Sequence, residues 1–340
     1  MKKILYFILL FTVLPLSRIQ AASPFDNPDT IVVSRDGTGQ FRTVGEAIEV
    51  CRAFMDYHKV IFVKKGTYKE KLIIPQWLQN IEICGEDCNE TIITWDDHAN
   101  IVMNDSNWPA ELNQQLKAMG NRPKLGTFRS FTLRIDANDI TLKNITIENN
   151  AARLGQAVAL HTQGDRLKFI NCRFLGNQDT VYTGLANTRL LFDHCYIEGT
   201  TDFIFGPSTA WFEKCIIHCK INSYITAAST PQDVAFGYVF NECTVTAADN
   251  VSKLYLGRPW RDYGYTLFMR CTLPAQIRPE GWHNWEKHRE QTARYLEFEN
   301  TGDGSDTSKR VTWSRQLSKK EAKAITIENV FQRNDGWKPF

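Results

Sequence analysis

The chain has 340 residues, 43% of them apolar and 23% charged, which is enough for a large packed core and excludes a disordered polyelectrolyte. Its 40 basic and 38 acidic residues nearly balance, and Lys2, Lys3 and Arg18 lie in the first 22 residues, so the remainder carries no basic excess. That balance excludes general nucleic-acid binding.

In chain order, residues 1–22 come first. Lys2 and Lys3, the apolar run ILYFILLFTVLPL and the small residues at IQAA read as an export signal. A membrane anchor or a buried first strand is the competing reading of this run. No second apolar run of about 18 residues follows, so residues 23–340 are expected to be one soluble domain, periplasmic or secreted. Residues 31–63 predict the strand IVVS, a turn around Asp36-Gly37-Thr38-Gly39, an amphipathic helix from Val44 to Tyr57, and the strand KVIFV. Such a start would cap the open edge of a stack of strands. Residues 105–126 form a polar excursion placed to stand beside a groove, and a helix is predicted from Lys319 to Ala324.

A repeat fills the middle of the chain. KNITI, NCRF, HCYI, KCII, ECTV and RCTL share one pattern, and from Ile145 through Cys172, Cys195, Cys215, Cys243 and Cys271 the spacings are 27, 23, 20, 28 and 28. Between them stands a second series: AVAL, DTVY, DFIF, SYIT, GYVF and KLYL. Two short strands per coil, with no room for a crossover helix, predict an all-β, right-handed parallel β-helix with capping helices. A β-sandwich also has many short strands and is the alternative on pattern alone.

Aligning the coils by their cysteines places Asp179 beside Asp202 and Gln156 beside Gln178. Parallel strands lie roughly 4.8 Å apart, so the two carboxylates can share one chemical task. Adjacent carboxylates divide into a proton-holding and an ionised group. An amide can donate to developing oxyanion charge, and LGRPW can bring Arg258 and Trp260 to the same face. A carboxylate pair also suits a glycoside hydrolase, and the strand pattern alone suits a noncatalytic carbohydrate-binding β-helix. His161, His194 and His218 match no compact metal-ligand spacing.

With GTYKE, GQAVAL, GNQDTVY, DFIFG and LGRPW in that order, after DGTGQFRTVGEAI and before GWHNW, the chain resembles the pectin methylesterase family from residue 36 to about 285. The resemblance is to exported bacterial members. It implies removal of methyl esters from methylated homogalacturonan, as polymer or oligomer, with release of methanol. It implies Asp202 as nucleophile and Asp179 as general acid, then base. Gln178 becomes an oxyanion donor, Gln156 a second polar support, and Arg258 the group that orients Asp202. Trp260, Tyr182 and Phe205 become sugar-contacting aromatics. No cofactor or metal is implied, and the expected state is a monomer. The resemblance further implies a disulfide between Cys195 and Cys215. Thr201 departs from the family's more apolar residue before the nucleophile.

Overall fold

The computed structural model describes residues 30–102 and 124–340; the expected leader, residues 1–22, and most of the 105–126 excursion lie outside them. The described strands wind into a right-handed parallel β-helix with three sheets of 11, 7 and 7 strands. Each central coil gives one strand to each sheet, as in Leu167–Ile170, Arg173–Leu175 and Val181–Thr183, followed by Arg189–Asp193, Tyr196–Gly199 and Ile204–Gly206.

Three strands per coil replace the two expected. The extra strand was hidden because the corner after it is very tight: Leu167–Ile170 and Arg173–Leu175 are parted only by Asn171 and Cys172. Asn171 turns that corner in the left-handed region at φ 50°, as do Asn144, His194, Lys214, Glu242 and Arg270 at φ 50°, 52°, 48°, 53° and 55°. Read as sequence, the two strands merge into one apolar run. The segment GYVF accordingly belongs to the 11-stranded sheet, as Tyr238–Asn241, and not with AVAL, DTVY and DFIF.

Each corner residue is followed by an inward side chain: Ile145, Cys172, Cys195, Cys215, Cys243 and Cys271 are all 1% exposed or less. Cys195 and Cys215 are both free thiols, which corrects the expected disulfide. Instead of meeting in a bond, their Sγ atoms donate to the preceding coil, Cys195 to Phe169 O at 3.3 Å and Cys215 to Phe192 O at 3.4 Å. Beside this ladder runs a stack of buried rings, Phe169, Phe192, Phe212, Phe240 and Phe268, with centroids 4.6, 4.6, 4.3 and 4.3 Å apart.

The first helix is shorter than expected, Val44–Glu49, with Thr43 and Glu46 forming a reciprocal cap at its start. It cannot run to Tyr57 because Phe54 takes φ 55° and donates its N–H to Trp77 O at 2.9 Å. Val44, Ala47 and Ile48 are buried beneath it. At the other end the helix Lys319–Ala324 forms as predicted and is followed by Ile327–Phe331. These two helices cover the outer face of the 11-stranded sheet, where Ile327, Val330 and Phe331 pack with Leu191, Trp211 and Val239. They therefore clad a flank of the solenoid.

Candidate active site

A cleft of about 280 Å³ opens on the outer face of the seven-stranded sheet that runs from Leu72–Ile74 to Tyr255–Gly257. Its walls hold Gln156, Gln178, Asp179, Asp202, Phe205, Arg258 and Trp260, seven of the eight residues singled out from the sequence. The pairing of Val181 with Ile204 sets Asp179 one coil from Asp202, as aligned. Both aspartates take left-handed backbone, φ 66° and 51°, immediately ahead of their strands. Short polar side chains tolerate that region better than branched ones. The main chain is pinned on both sides, with Asp179 N–H donating to Thr201 O at 3.1 Å and Asp202 N–H to Tyr224 O at 2.9 Å.

The preceding coil is offset from the sequence alignment. Leu160 pairs with Val181, not Tyr182, so Gln156 is not the strand partner of Gln178. A one-residue slip inside a strand reverses the faces, but Gln156 lies before its strand, where Gly155 at φ 137° redirects the chain and leaves the amide on the cleft wall.

Asp202 and Asp179 are 5% and 8% exposed. Arg258 donates to both oxygens of Asp202, Nε to Oδ1 at 3.0 Å and Nη2 to Oδ2 at 2.6 Å, a bidentate pair that fixes the carboxylate plane. The guanidinium is itself held between two rings, 3.9 Å from the centroid of Tyr224 and 3.8 Å from that of Trp285. Burial, then the charge of Asp202, pushes the Asp179 carboxyl well above the usual range, with Arg258 opposing. Burial also raises Asp202, but there the hydrogen bonds and charge of Arg258 act directly against it. The two acids thus differ in environment: Asp179 is driven toward its neutral form, while Asp202 has a cation to hold its ionised form.

The aromatic floor is Phe205, 4% exposed, with Trp260 edge-on to it at 5.7 Å. Tyr182 does not line the cleft; it stands beside it, 4.9 Å from Phe205 and 4.8 Å from Phe128. Thr201 turns away to share a hydrogen bond with Ser223 Oγ at 2.8 Å. Sequence reading missed Trp285 and Phe128, both on the wall. GWHNW carried the signal for Trp285; Phe128, in a short turn just past the polar excursion, carried none. The histidines are scattered: His161 meets Gln163 and Phe128, His194 meets Asp193, and His218 meets Thr246.

The chain matches the Pectinesterase family over residues 30–334. It is 38% identical to pectinesterase 31 of Arabidopsis thaliana over 293 residues, which cover 85% of this chain and 88% of that one. Several further plant relatives are longer, and the chain spans about half of each. Among solved structures, pectin methylesterase from carrot superposes with a TM-score of 0.78 at 30% identity, covering 88% of this chain and 92% of that chain. A pectin methylesterase in complex with a hexasaccharide gives 0.75 at 27% identity, covering 91% and 98%. With a family match across nearly all of the described solenoid and its cleft, this chain belongs to the pectinesterase family.

Proposed function

We propose that the cleft removes methyl esters from methylated homogalacturonan by way of an acyl-enzyme anhydride on Asp202. The observation that carries the reading is the asymmetry of the two buried carboxyls, one gripped by Arg258 and the other pushed toward its protonated form. Ionised Asp202 attacks the ester carbonyl carbon while Gln178 donates to the oxygen that gains charge, with Gln156 as a second polar support. Asp179 gives its proton to the departing methanol. It then takes one from the water that attacks the anhydride, which frees Asp202 and leaves a galacturonate carboxylate. Arg258 keeps the nucleophile ionised and oriented. Phe205 and Trp260 offer apolar faces to the sugar rings, with Tyr182 supporting Phe205. The hexasaccharide bound by a related pectin methylesterase supports an oligosaccharide or polymer as substrate.

Residues 1–22 act as a leader in a bacterial host, and residues 23–340 form one catalytic domain, monomeric and periplasmic or secreted. No helix among the described residues is long and apolar enough to cross a membrane.

Methanol released from highly methylated galacturonan, against a blank of unmethylated polymer, tests the activity. Asp202→Ala should abolish release while the folded solenoid persists. Substantial turnover by that folded variant would remove Asp202 from the chemistry. N-terminal sequencing of the exported protein tests the leader.

A further inference from the structure

A second groove, of about 510 Å³, lies on a different face of the solenoid from the cleft, on the seven-stranded sheet that runs from Gly66–Lys69 to Thr244–Ala247. Strand register lines up Arg173, Tyr196 and Ile216 on three successive coils. Beside them the corner residues Asn171, His194 and Lys214 form a parallel row, because each takes the same left-handed turn at φ 50°, 52° and 48°. The regularity of the coil thus sets two rows of side chains side by side along one channel.

Its chemistry is one-sided. The lining includes Arg173 and Lys214 and no aspartate or glutamate, although the chain as a whole has 40 basic and 38 acidic residues. Arg173 makes no ion pair among the described residues. Its Nη1 donates to Asn89 Oδ1 at 3.0 Å, and its guanidinium lies 5.4 Å over the ring of Tyr196. Lys214 is only loosely matched, 3.9 Å from Glu213 and 3.8 Å from Glu242, beyond hydrogen-bonding distance. Ile216 is 44% exposed, so an apolar patch continues the Tyr196 surface. A mixed aromatic and aliphatic strip flanked by cations and by the exposed amides of Asn89 and Asn171 suits a sugar chain bearing carboxylates. A neutral glycan would leave Arg173 without an anion.

We propose that this groove is a second, non-catalytic site for de-esterified galacturonan, the anionic chain that the proposed reaction makes. The proposal rests on that functional reading for its choice of acidic sugar. Arg173 and Lys214 stand two coils apart, roughly 10 Å, and pair with carboxylates of different sugar units. Tyr196, flanked by the Arg173 guanidinium and by the His218 ring at 6.1 Å, presents its edge and packs with Ile216 against the sugar units between them. Occupancy rises as demethylation proceeds, so the enzyme is retained on polymer that it has already converted.

The test is native gel electrophoresis through polygalacturonate, with a parallel gel containing polyglutamate. It is run in the Trp260→Ala background so that the cleft contributes less to retention. Arg173→Gln with Lys214→Gln should weaken the apparent affinity for polygalacturonate roughly tenfold. The same pair in the otherwise unaltered protein should leave methanol release from short methylated oligomers unchanged. Tyr196→Ala provides a second variant that leaves the charges in place, and it too should reduce retardation. Equal retardation of the parent and the double variant, each measured against its own mobility in a gel without polymer, would overturn the proposal, as would equal slowing by polyglutamate. A protein that releases no methanol yet is slowed through Arg173 and Lys214 would remove the esterase reading and leave this groove standing.

Discussion

Arg258 contacts both oxygens of Asp202, at 3.0 and 2.6 Å, whereas no cation of the described residues forms an ion pair with Asp179 one coil away. The difference arises from position along the solenoid: Thr226 pairs with Gly257, which delivers the next residue, Arg258, to the Asp202 side of the cleft.

Arg258→Gln is expected to lower methanol release roughly ten- to hundredfold, the worth of a hydrogen bond to a charged group being about 1.5–3 kcal/mol. The pH profile should shift as well. Arg258 lowers the Asp202 pKa against the effect of burial, so removing it raises that pKa further. An ionised nucleophile then requires a higher pH, and the acid limb of kcat/KM moves upward. An unmoved acid limb would show that Arg258 does not tune Asp202.

Asp179→Asn separates stability from activity. The folded pKa of Asp179 lies well above its ordinary value of 3.8, so the folded state holds the proton more tightly than the unfolded chain does. The resulting loss of stability is absent below that ordinary value and grows as pH rises toward the folded pKa. Asparagine keeps the shape and never ionises. The variant should lose about 10² to 10⁴ in rate and gain in Tm near neutral pH, with the gain vanishing near pH 3. Thermal melts at the two pH values check it, and a Tm gain independent of pH would contradict the account.

Much of this arrangement was legible from residue spacing. The step from Asp179 to Asp202 keeps the same offset from Cys172 and Cys195, and a β-helix preserves such offsets on one face. The helix at Lys319–Ala324 was legible because Ser318 and Glu321 cap it locally. What failed depended on backbone bends. The left-handed corners fused two strands into one run, and the bend at Gly155 displaced Gln156 from the register of the next coil. Trp285 reaches Arg258 from 27 positions further along the chain, by a loop whose path no periodicity records.

The phenylalanine stack should bear a large share of solenoid stability. Phe212 is fully buried, 4.6 Å from Phe192 and 4.3 Å from Phe240, so its loss opens a gap shared by two coil interfaces. Phe212→Ala is expected to cost about 3–5 kcal/mol, and Phe212→Leu markedly less, because a cavity adds to the lost transfer energy. Urea midpoints at constant m-value measure both. Equal costs for the two variants would mean that the stack relaxes around the gap.

The two rings around Arg258 allow orientation to be distinguished from substrate contact. Tyr224 and Trp285 both face the guanidinium, at 3.9 and 3.8 Å, but only Trp285 lines the cleft. A desolvated cation over an aromatic face gains about 2 kcal/mol, so Tyr224→Ala should lower kcat by roughly tenfold or more with little change in KM. Its main-chain carbonyl continues to accept from Asp202 N–H, at 2.9 Å in the parent, whichever side chain is present. Loss through the side chain therefore reports on Arg258. Tyr224→Phe keeps the ring and should restore most of the rate, together with the parent acid limb of the pH profile. Trp285→Ala should lower kcat similarly and also raise KM, since it removes part of the cleft wall. Steady-state kinetics on methylated galacturonan across pH resolves the cases, and a Tyr224→Phe variant as slow as Tyr224→Ala would show that the hydroxyl matters and the ring face does not.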